Sequence, residues 1–335
     1  MKTANDHSLL GHNTFGIDVK AALFAEYADE DELRAFLPQL AGRRVLHIGQ
    51  GSNLLFTRDF DGVVLHSGIT AIGAPEPSAD GSVHIRVGGG VVFDDLIVHT
   101  LSLGLYGLEN LSYIPGEVGA SAVQNVGAYG VEAGDRIVRV EAVDLTTGEG
   151  RVFAPSECRY AYRQSIFKQE LRGRYAITRV TFRLSRTFRP ELSYGGLKAH
   201  ADGASELTAE GLRRIIIDMR RAKLPDPREV GSAGSFFMNP VVTPAEYERL
   251  RQSWPDMPHY PASGGLVKVP AGWLIEQCGW KGRALGAAGV YARQALVLVN
   301  LGGATGADVL RLSDQVRASV SEKFGIDIRP EVNVF

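Results

Sequence analysis

The sequence lacks several features that would assign it to common functional classes. It has two cysteines, Cys158 and Cys278, which are too few for a disulfide framework or a zinc cluster. Its longest apolar runs are only a few residues, far short of the roughly 20 that cross a bilayer, and no apolar signal segment opens the chain. Its net charge of −2 gives none of the basic excess of a nucleic-acid-binding surface. We therefore expect a cytoplasmic protein that uses no metal, membrane or nucleic acid.

The remaining composition is that of a globular protein with one excess. The chain has 335 residues, enough for two or three domains, and 44% of them are hydrophobic and 22% charged. Glycine accounts for 39 residues, well above the usual share of about 7%. Because glycine adopts positive φ and lets other groups approach the backbone closely, its clusters mark candidate binding loops.

The most unusual cluster is segment 115–130, PGEVGASAVQNVGAYG, in which Glu117 is the only charged residue. Its four glycines are too many for a core strand, and its single charge is too few for a solvated loop. Short helical turns in such a loop direct N–H groups that bind anions. The segment is therefore either a buried glycine-rich turn or a phosphate cradle for a nucleotide cofactor.

A second glycine-rich loop follows a predicted strand at 45–49. This loop, GQGSNLLF at 49–56, offers backbone amides and a hydroxyl. It is not the dinucleotide-binding fingerprint, because the third glycine is missing.

Hydrophobic periodicity divides the chain near residues 186–190 into a β-rich first part and a smaller α/β second part. Strands are predicted at 14–24, 45–49, 63–66, 83–87, 137–145, 175–184 and 295–300. Helices are predicted at 29–40, 92–103, 208–221, 244–254, 271–278 and 306–324. The first part shows no regular alternation of strands and helices, which disfavours a doubly wound dinucleotide-binding domain. Segment 231–240, GSAGSFFMNP, is predicted as a turn entering a short apolar strand.

Three side chains are candidates for chemistry. Ser235 lies outside a G-x-S-x-G elbow and is either a turn serine or a proton donor to a strongly basic carbon. Glu331 and Arg329 share the polar face of a strand predicted at 328–335, which meets either water or a cleft. Arg163 stands among tyrosines, where it needs an anionic or carbonyl partner unless it reaches the surface.

Four further side chains are candidates for binding. Arg220 and Lys223 flank the end of a predicted helix, where they either bind a phosphate or complement the helix C-terminus. Tyr194 and Tyr260 lie in loops rich in glycine and proline, positions typical of aromatic lids and also of ordinary turns.

The order of these segments resembles that of a known family. The segments are GQGSNLLF, the 115–130 loop, AYRQSIFK, KLPDP, GSAGSFFMNP, AGWLIEQCGWKG and a terminal RPEV. From about Asn13 to the last residue, the chain resembles the UDP-N-acetylenolpyruvoylglucosamine reductases, in the form with a tyrosine lid loop. The resemblance implies an enzyme that reduces UDP-N-acetylglucosamine-enolpyruvate to UDP-N-acetylmuramate for peptidoglycan. FAD bound non-covalently is the implied cofactor and NADPH the hydride donor.

The resemblance also implies an architecture. The class is α+β, with an FAD-binding domain of the vanillyl-alcohol oxidase and para-cresol methylhydroxylase type and a smaller C-terminal α/β substrate-binding domain. The FAD domain is expected at 14–186, in subdomains of about 14–66 and 67–186. The substrate-binding domain is expected at 206–326, and a terminal strand at 327–335 contributes to the active site. The implied partners are the UDP-sugar and NADPH, and we expect a monomer.

Individual roles follow from the resemblance. Arg163, Ser235 and Glu331 match the catalytic positions: Ser235 protonates a substrate carbon, and the other two stabilise charge on the substrate's carboxylate. FAD contacts are implied at Gly49, Gly51, Ser52, Asn53, Leu54, Pro115, Gly116, Gly119, Ala120, Gln124, Asn125, Gly127, Ala128, Tyr129 and Gly130. Substrate contacts are implied at Tyr194, Arg220, Lys223, Asn239, Tyr260 and Gln294.

The chain departs from the family pattern at a few positions. Gln50 replaces a more usual glycine, and Ser121 and Ala122 replace Ala-Pro or a similar pair; an FAD loop should tolerate these changes. Met238 stands where a lysine often follows the two phenylalanines. The chain therefore lacks one phosphate contact at this position, and Lys223 can supply a contact in its place.

Two other functions remain alternatives. An oxidase on the same flavin fold would use oxygen, and many such enzymes attach flavin to a histidine or cysteine in the first loop; GQGSN has neither. A nucleotide-binding regulatory protein without catalysis would lack the catalytic residues, whereas Arg163, Ser235 and Glu331 are all present.

Overall fold

The structure, a computed structural model, describes residues 1–194, 196–201 and 207–335. Residue 206, the start predicted for the second domain, lies outside the described residues. The helices in chain order are α1 Glu30–Phe36, α2 Phe93–Ser102, α3 Val118–Gln124, α4 Pro155–Cys158, α5 Leu197–Ala201, α6 Ala209–Lys223, α7 Pro244–Ser253, α8 Ala271–Gln277 and α9 Gly306–Phe324. The strands are β1 Lys2–Ser8, β2 Lys20–Tyr27, β3 Val45–Ile48, β4 Leu54–Leu55, β5 Phe60–Ser67, β6 Glu76–Pro77, β7 Val83–Gly88, β8 Gly127–Ala128, β9 Val131–Glu132, β10 Ile137–Asp144, β11 Gly150–Phe153, β12 Tyr175–Leu184, β13 Gly231–Ser235, β14 Val241–Val242, β15 Tyr260–Pro261, β16 Val267–Lys268, β17 Ala284–Leu285, β18 Ala288–Val290, β19 Val297–Asn300 and β20 Asn333–Val334.

The chain divides into two compact units. The first unit comprises Met1–His7, Lys20–Gln50 and Phe60–Arg220. The second comprises Ser8–Val19, Gly51–Asp59 and Arg221–Phe335. The domain bounds expected from the sequence, 14–186, 206–326 and 327–335, stay a prediction.

The first unit contains two main sheets, one with parallel strand pairs and one that is antiparallel. One sheet has the order β1-β2-β5-β3, in which β5 pairs parallel with both β2 and β3. The other has the order β11-β10-β12-β7-β6 and pairs antiparallel. The antiparallel sheet agrees with the predicted lack of a regular strand–helix alternation.

Strand β12 lies between the two cores of the first unit. Ile177, Val180 and Phe182 pack in one core, while Ala176 packs in the other with Tyr27. Both faces of β12 are covered at Ala176 and Ile177, which follow each other in the sequence, whereas apolar residues alternate with polar ones from Arg179 to Leu184.

The second unit packs α9 beside short antiparallel strands. Its main sheet has the order β13-β19-β18-β17. Thr305 begins α9 with a capping box that includes Asp308. The apolar residues that recur at three- to four-residue spacing along α9 are buried, at Val309, Leu312, Val316, Val320 and Phe324.

All six predicted helices are confirmed, as is the α+β class. In the part of the chain that the structure describes, no helix has the length and apolarity needed to cross a membrane.

Three strand predictions need correction. Residues 14–19 are not strand, because the Asn13 side chain bonds the backbone of Leu9 and Ile17 and bends the chain. In 231–240 the strand is the Gly/Ser stretch β13 itself, and the phenylalanines follow it. In 328–335 only β20 is strand; of the apolar residues there, Ile328 and Val332 are buried and Val334 is exposed.

Candidate active site

Ser235 ends β13 in the second unit. A break in register precedes it, and it pairs with Val297 of β19. Gly234 has a φ of 66°, a conformation that glycine adopts without strain. The positive φ of Gly234 and the pairing with Val297 therefore fix the backbone of Ser235, which is half-buried.

The chain's last segment runs beside the residues that follow Ser235. The Glu331 amide donates to the Phe236 carbonyl at 2.8 Å, and the Met238 amide donates to the Arg329 carbonyl at 2.9 Å. These bonds hold Glu331, which is half-buried, close in the fold to Ser235. The Arg329 side chain is 76% exposed.

Part of the first glycine loop joins the same cluster. The Asn53 carbonyl accepts from the Asn333 amide at 3.1 Å, and the Asn53 side chain donates to the Glu331 carbonyl at 3.4 Å. Leu54 of β4 pairs with Asn333 of β20. Of the predicted FAD contacts, Gly51, Ser52, Asn53 and Leu54 therefore lie in the second unit with Ser235 and Glu331.

The predicted substrate residues of the second unit lie on different elements. The Asn239 side chain accepts from the Ala271 amide at 2.9 Å, at the start of α8. Gln294 accepts from the Leu296 amide at 3.3 Å. Tyr260, on β15, is 47% exposed, and Lys223 is the exposed last residue of α6.

The 115–130 loop lies in the first unit and contains α3. The Gly119 amide donates to the Gly89 carbonyl, and a Cβ at Gly119 would lie 3.2 Å from that oxygen. Gly116 has a φ of 131°, and its amide donates to the Gln50 side chain at 3.0 Å. The remaining predicted FAD contacts lie in this unit: Gly49, Pro115, Gly116, Gly119, Ala120, Gln124, Asn125, Gly127, Ala128, Tyr129 and Gly130.

Arg163 is held by carbonyls of this loop. Its guanidinium donates to the carbonyls of Gly127 and Asn125. Its own carbonyl accepts from Lys168 at 3.0 Å, and its φ of 56° lies in the left-handed region. The carbonyl partner that an arginine needs in apolar surroundings is thus the glycine-rich loop.

Arg220 belongs to a network that joins α6 to the start of α2. It donates to the Tyr113 carbonyl at 3.1 Å, and burial lowers the pKa of its guanidinium. Asp94 accepts from the Tyr113 amide at 2.6 Å and from Arg213 at 2.6 and 2.8 Å. The rings of Tyr129 and Tyr194 meet edge to face, with centroids 6.0 Å apart.

Sequence reasoning missed Asp94 and Arg213, and it missed a chain of Glu26, His66 and Glu117. His66 Nδ1 lies 2.9 Å from a Glu26 oxygen, and its Nε2 lies 3.0 Å from a Glu117 oxygen. Glu117 could have been noticed from the sequence, because it is the one charged residue in an otherwise neutral loop. Nothing in the local sequence indicates the role of His66, because its partners are 40 and 51 residues away.

Comparison with known proteins identifies similar chains. The family model for the C-terminal domain of UDP-N-acetylenolpyruvoylglucosamine reductase matches residues 226–335, and an FAD binding domain model matches residues 21–153. A UDP-N-acetylenolpyruvoylglucosamine reductase from Bacteroides fragilis is 54% identical over 98% of both chains. One from Burkholderia ambifaria is 46% identical over 97% of this chain and 95% of its own. The solved UDP-N-acetylenolpyruvylglucosamine reductase from Thermus caldophilus has the same fold, with a TM-score of 0.67 at 24% identity over 100% of this chain and 98% of its own.

Proposed function

This chain belongs to the family of UDP-N-acetylenolpyruvoylglucosamine reductases, and from that premise we propose that it uses NADPH to reduce UDP-N-acetylglucosamine-enolpyruvate to UDP-N-acetylmuramate, for peptidoglycan synthesis. The observation that carries the proposal is the 54% identity over 98% of both chains to a relative of that name. We further propose that the enzyme is a cytoplasmic monomer.

The glycine-rich loops fit the diphosphate of FAD. The donors they offer are backbone amides and hydroxyls, and close backbone packing at Gly119 and the positive φ of Gly116 favour glycine there. We propose that the loop residues 49–54 and 115–130 hold the cofactor. The chemistry that FAD supplies when bound is hydride transfer, which no side chain performs.

Arg163 is proposed to stabilise charge on the substrate. When the vinyl carbon of the enolpyruvyl group gains a hydride, negative charge builds on the neighbouring carbon and its carboxylate. A guanidinium already oriented by Gly127 and Asn125 offers a fixed positive charge to that carboxylate. Such preorganised stabilisation is commonly the largest catalytic contribution.

Ser235 and Glu331 are proposed to complete the reaction. Ser235 gives its hydroxyl proton to the substrate carbon; a serine hydroxyl is a weak acid, but a carbon carrying enolate charge is basic enough to take it. Glu331 supports the same charge through a hydrogen bond. The backbone bond between Glu331 and Phe236 is the feature that favours their joint action.

The predicted substrate contacts suit a nucleoside diphosphate. Arg220 and Lys223 supply positive charge for phosphate oxygens, and Asn239 and Gln294 supply amide groups for polar recognition. Tyr194 and Tyr260 are each about half exposed, at 49% and 47%, which suits rings that cover a bound ligand.

Turnover with product analysis tests the proposal. The purified enzyme should consume NADPH only when UDP-N-acetylglucosamine-enolpyruvate is present, and the product should carry two more hydrogens than the substrate. NADPH consumption that depends on oxygen and ignores the UDP-sugar would contradict the proposal and favour an oxidase. Release of free FAD on denaturation is expected, since the binding is proposed to be non-covalent.

A further inference from the structure

His66 occupies a largely buried position between two carboxylates of the first unit. Its side chain is 15% exposed, that of Glu117 is 6% exposed and that of Glu26 is 24% exposed. Each imidazole nitrogen faces one carboxylate, at 2.9 Å from Glu26 and 3.0 Å from Glu117. An imidazole donates to both carboxylates at once only when both its nitrogens carry protons.

This arrangement is fixed by the register of the parallel sheet. His66 of β5 lies beside Glu26 of β2 and beside Ile48 of β3. Ile48 is followed directly by Gly49, where the first glycine loop begins. The sheet therefore sets His66 at the base of that loop.

Glu117 connects His66 to both glycine-rich loops. It directly precedes α3, and a Cβ added at Gly49 would lie 2.9 Å from one of its carboxylate oxygens. On its other side, the Gly116 amide donates to Gln50 at 3.0 Å. The loops thus meet at Gly49–Gln50 and Gly116–Glu117, and the Glu117 carboxylate lies at this meeting point.

We propose that His66 is a positioning residue of the cofactor site: its imidazolium holds Glu117 against Gly49, so FAD binding weakens when His66 loses its proton. Loss of that proton leaves two carboxylates facing a neutral ring. It removes a hydrogen bond from Glu117, and it adds net negative charge next to loops that bind an anionic cofactor.

The surroundings of His66 favour the charged form. Burial by itself disfavours an imidazolium, but hydrogen bonds and charge from Glu117 and Glu26 outweigh it and raise the pKa of His66 above 6.5. Burial raises the pKa of Glu117, and the hydrogen bond of His66 opposes that rise, so the charges of the two groups depend on each other.

Lys2, His47 and Phe24 also lie near the group formed by Glu26, His66 and Glu117. Lys2 pairs with Glu26 at 2.6 Å. Burial, with His66 nearby, lowers the pKa of His47 to about 4, so His47 stays neutral at neutral and alkaline pH. The ring of Phe24 covers the imidazole at 6.3 Å and does not titrate.

The pH dependence of FAD binding tests this inference, which rests on the proposed FAD site. If the protein with protonated His66 binds FAD better, FAD in turn favours protonation of His66, and the dissociation constant rises as the pH increases above the pKa of His66 in the FAD-free protein. Holoenzyme is diluted into buffers from about pH 6 to about pH 9, and released FAD is measured by its fluorescence. The wild-type dissociation constant should rise at least about fivefold across this range.

Variants distinguish an effect of His66 protonation on FAD binding from a general loss of structure. His66→Gln should bind FAD weakly at all pH values, without the rise, and Glu117→Gln should move the midpoint of the rise to lower pH. Glu26→Gln should move it in the same direction, and it serves if His66→Gln does not fold. His84→Gln, on β7 in the other sheet, should keep the wild-type profile.

Two outcomes overturn the inference: the same pH profile in His66→Gln as in the wild type, or uniformly weaker binding in both carboxylate variants with no shift of midpoint. If the wild-type protein holds no FAD even at about pH 6.5, the proposed function fails as well as this inference.

Discussion

At the scale of single residues, Ser235 is the proposed proton donor to the substrate carbon. Ser235 is the last residue of β13 and follows Gly234, whose φ is positive. The role proposed for Ser235 is confined to the step in which the substrate carbon gains a proton, so the proposed reduction of the enzyme by NADPH should not need it.

Ser235→Ala separates the two half-reactions. We expect NADPH to bleach the flavin at nearly the wild-type rate, while recovery of colour with UDP-N-acetylglucosamine-enolpyruvate slows at least about 100-fold, the usual contribution of a positioned acid. Stopped-flow absorbance measures both steps. Ser253→Ala, at the exposed end of α7, is the matched control, and equal slowing of both steps would rule out the proton-donor role.

Sequence reasoning at this scale identified residues by type and by family position. The apolar surroundings of Arg163 predicted a hydrogen-bonding partner, because an unpaired buried guanidinium is energetically costly. In the structure, the partners are carbonyls of the glycine-rich loop. Sequence reasoning could not find His66, because the register of β5 against β2 brings Glu26 beside it from far along the chain.

At the scale of elements, α2 and α6 are joined by a charge network that positions Arg220. Asp94 of α2 binds the Arg213 guanidinium with both oxygens and also the Tyr113 amide. The carbonyl of that same Tyr113 accepts from Arg220. Tyr113 has a φ of 60°, a conformation that is strained for a residue other than glycine, and the network helps to hold it.

Asp94→Asn should weaken this network and substrate binding together. We expect a loss of about 1–3 kcal/mol in the free energy of unfolding, the cost of an impaired partly buried hydrogen-bonded charge, and a higher KM for the UDP-sugar. Chemical denaturation and steady-state kinetics measure the two effects. Asp95→Asn, exposed on the same helix, should change neither, and wild-type KM in Asp94→Asn would contradict the positioning of Arg220.

The same network predicts a response to acid. Burial opposes ionisation of Asp94, but the hydrogen bonds from Arg213 and Tyr113 outweigh burial and hold its pKa below 3.8. Its contribution to stability is therefore present above that value and is lost as the pH falls through the lowered pKa. The stability difference between wild type and Asp94→Asn should shrink as the pH falls below about 3.8.

Helix α9 begins where another segment of the second unit leaves no room for a side chain. A Cβ at Gly306 would lie 1.8 Å from the Phe56 carbonyl oxygen. Gly306→Ala should therefore shift the start of α9 and cost about 3 kcal/mol or more in unfolding free energy, measured by denaturation. Gly11→Ala, where a Cβ meets nothing within 4 Å, is the control; equal stability of both variants would show that the segment near Phe56 yields.

Element prediction succeeded where the apolar pattern is long. The stripe of α9 repeats over 19 residues, so periodicity finds it readily. It failed for β13, because the GSAGS strand carries no β-forming side chains and is held by pairing with β19. Tertiary pairing, which the local sequence does not encode, decided that element.

At the scale of the whole molecule, the order of motifs was more informative than any motif alone. Neither glycine-rich loop matches a dinucleotide fingerprint, and Ser235, Arg163 and Glu331 each have an ordinary structural explanation. Their succession along the chain identified the family, which full-length relatives at 54% and 46% identity confirm. The division into units was beyond sequence reasoning, because Ser8–Val19 and Gly51–Asp59 join a unit formed mainly by the C-terminal part.

The central claim is that one flavin site takes electrons from NADPH and gives them to the enolpyruvyl UDP-sugar. The most direct measurement is the visible spectrum of the purified protein under anaerobic conditions. We expect flavin absorbance that NADPH bleaches and that UDP-N-acetylglucosamine-enolpyruvate restores in one-to-one proportion to the flavin. A protein that is bleached by NADPH but recovers its colour only when oxygen is admitted would contradict the claim.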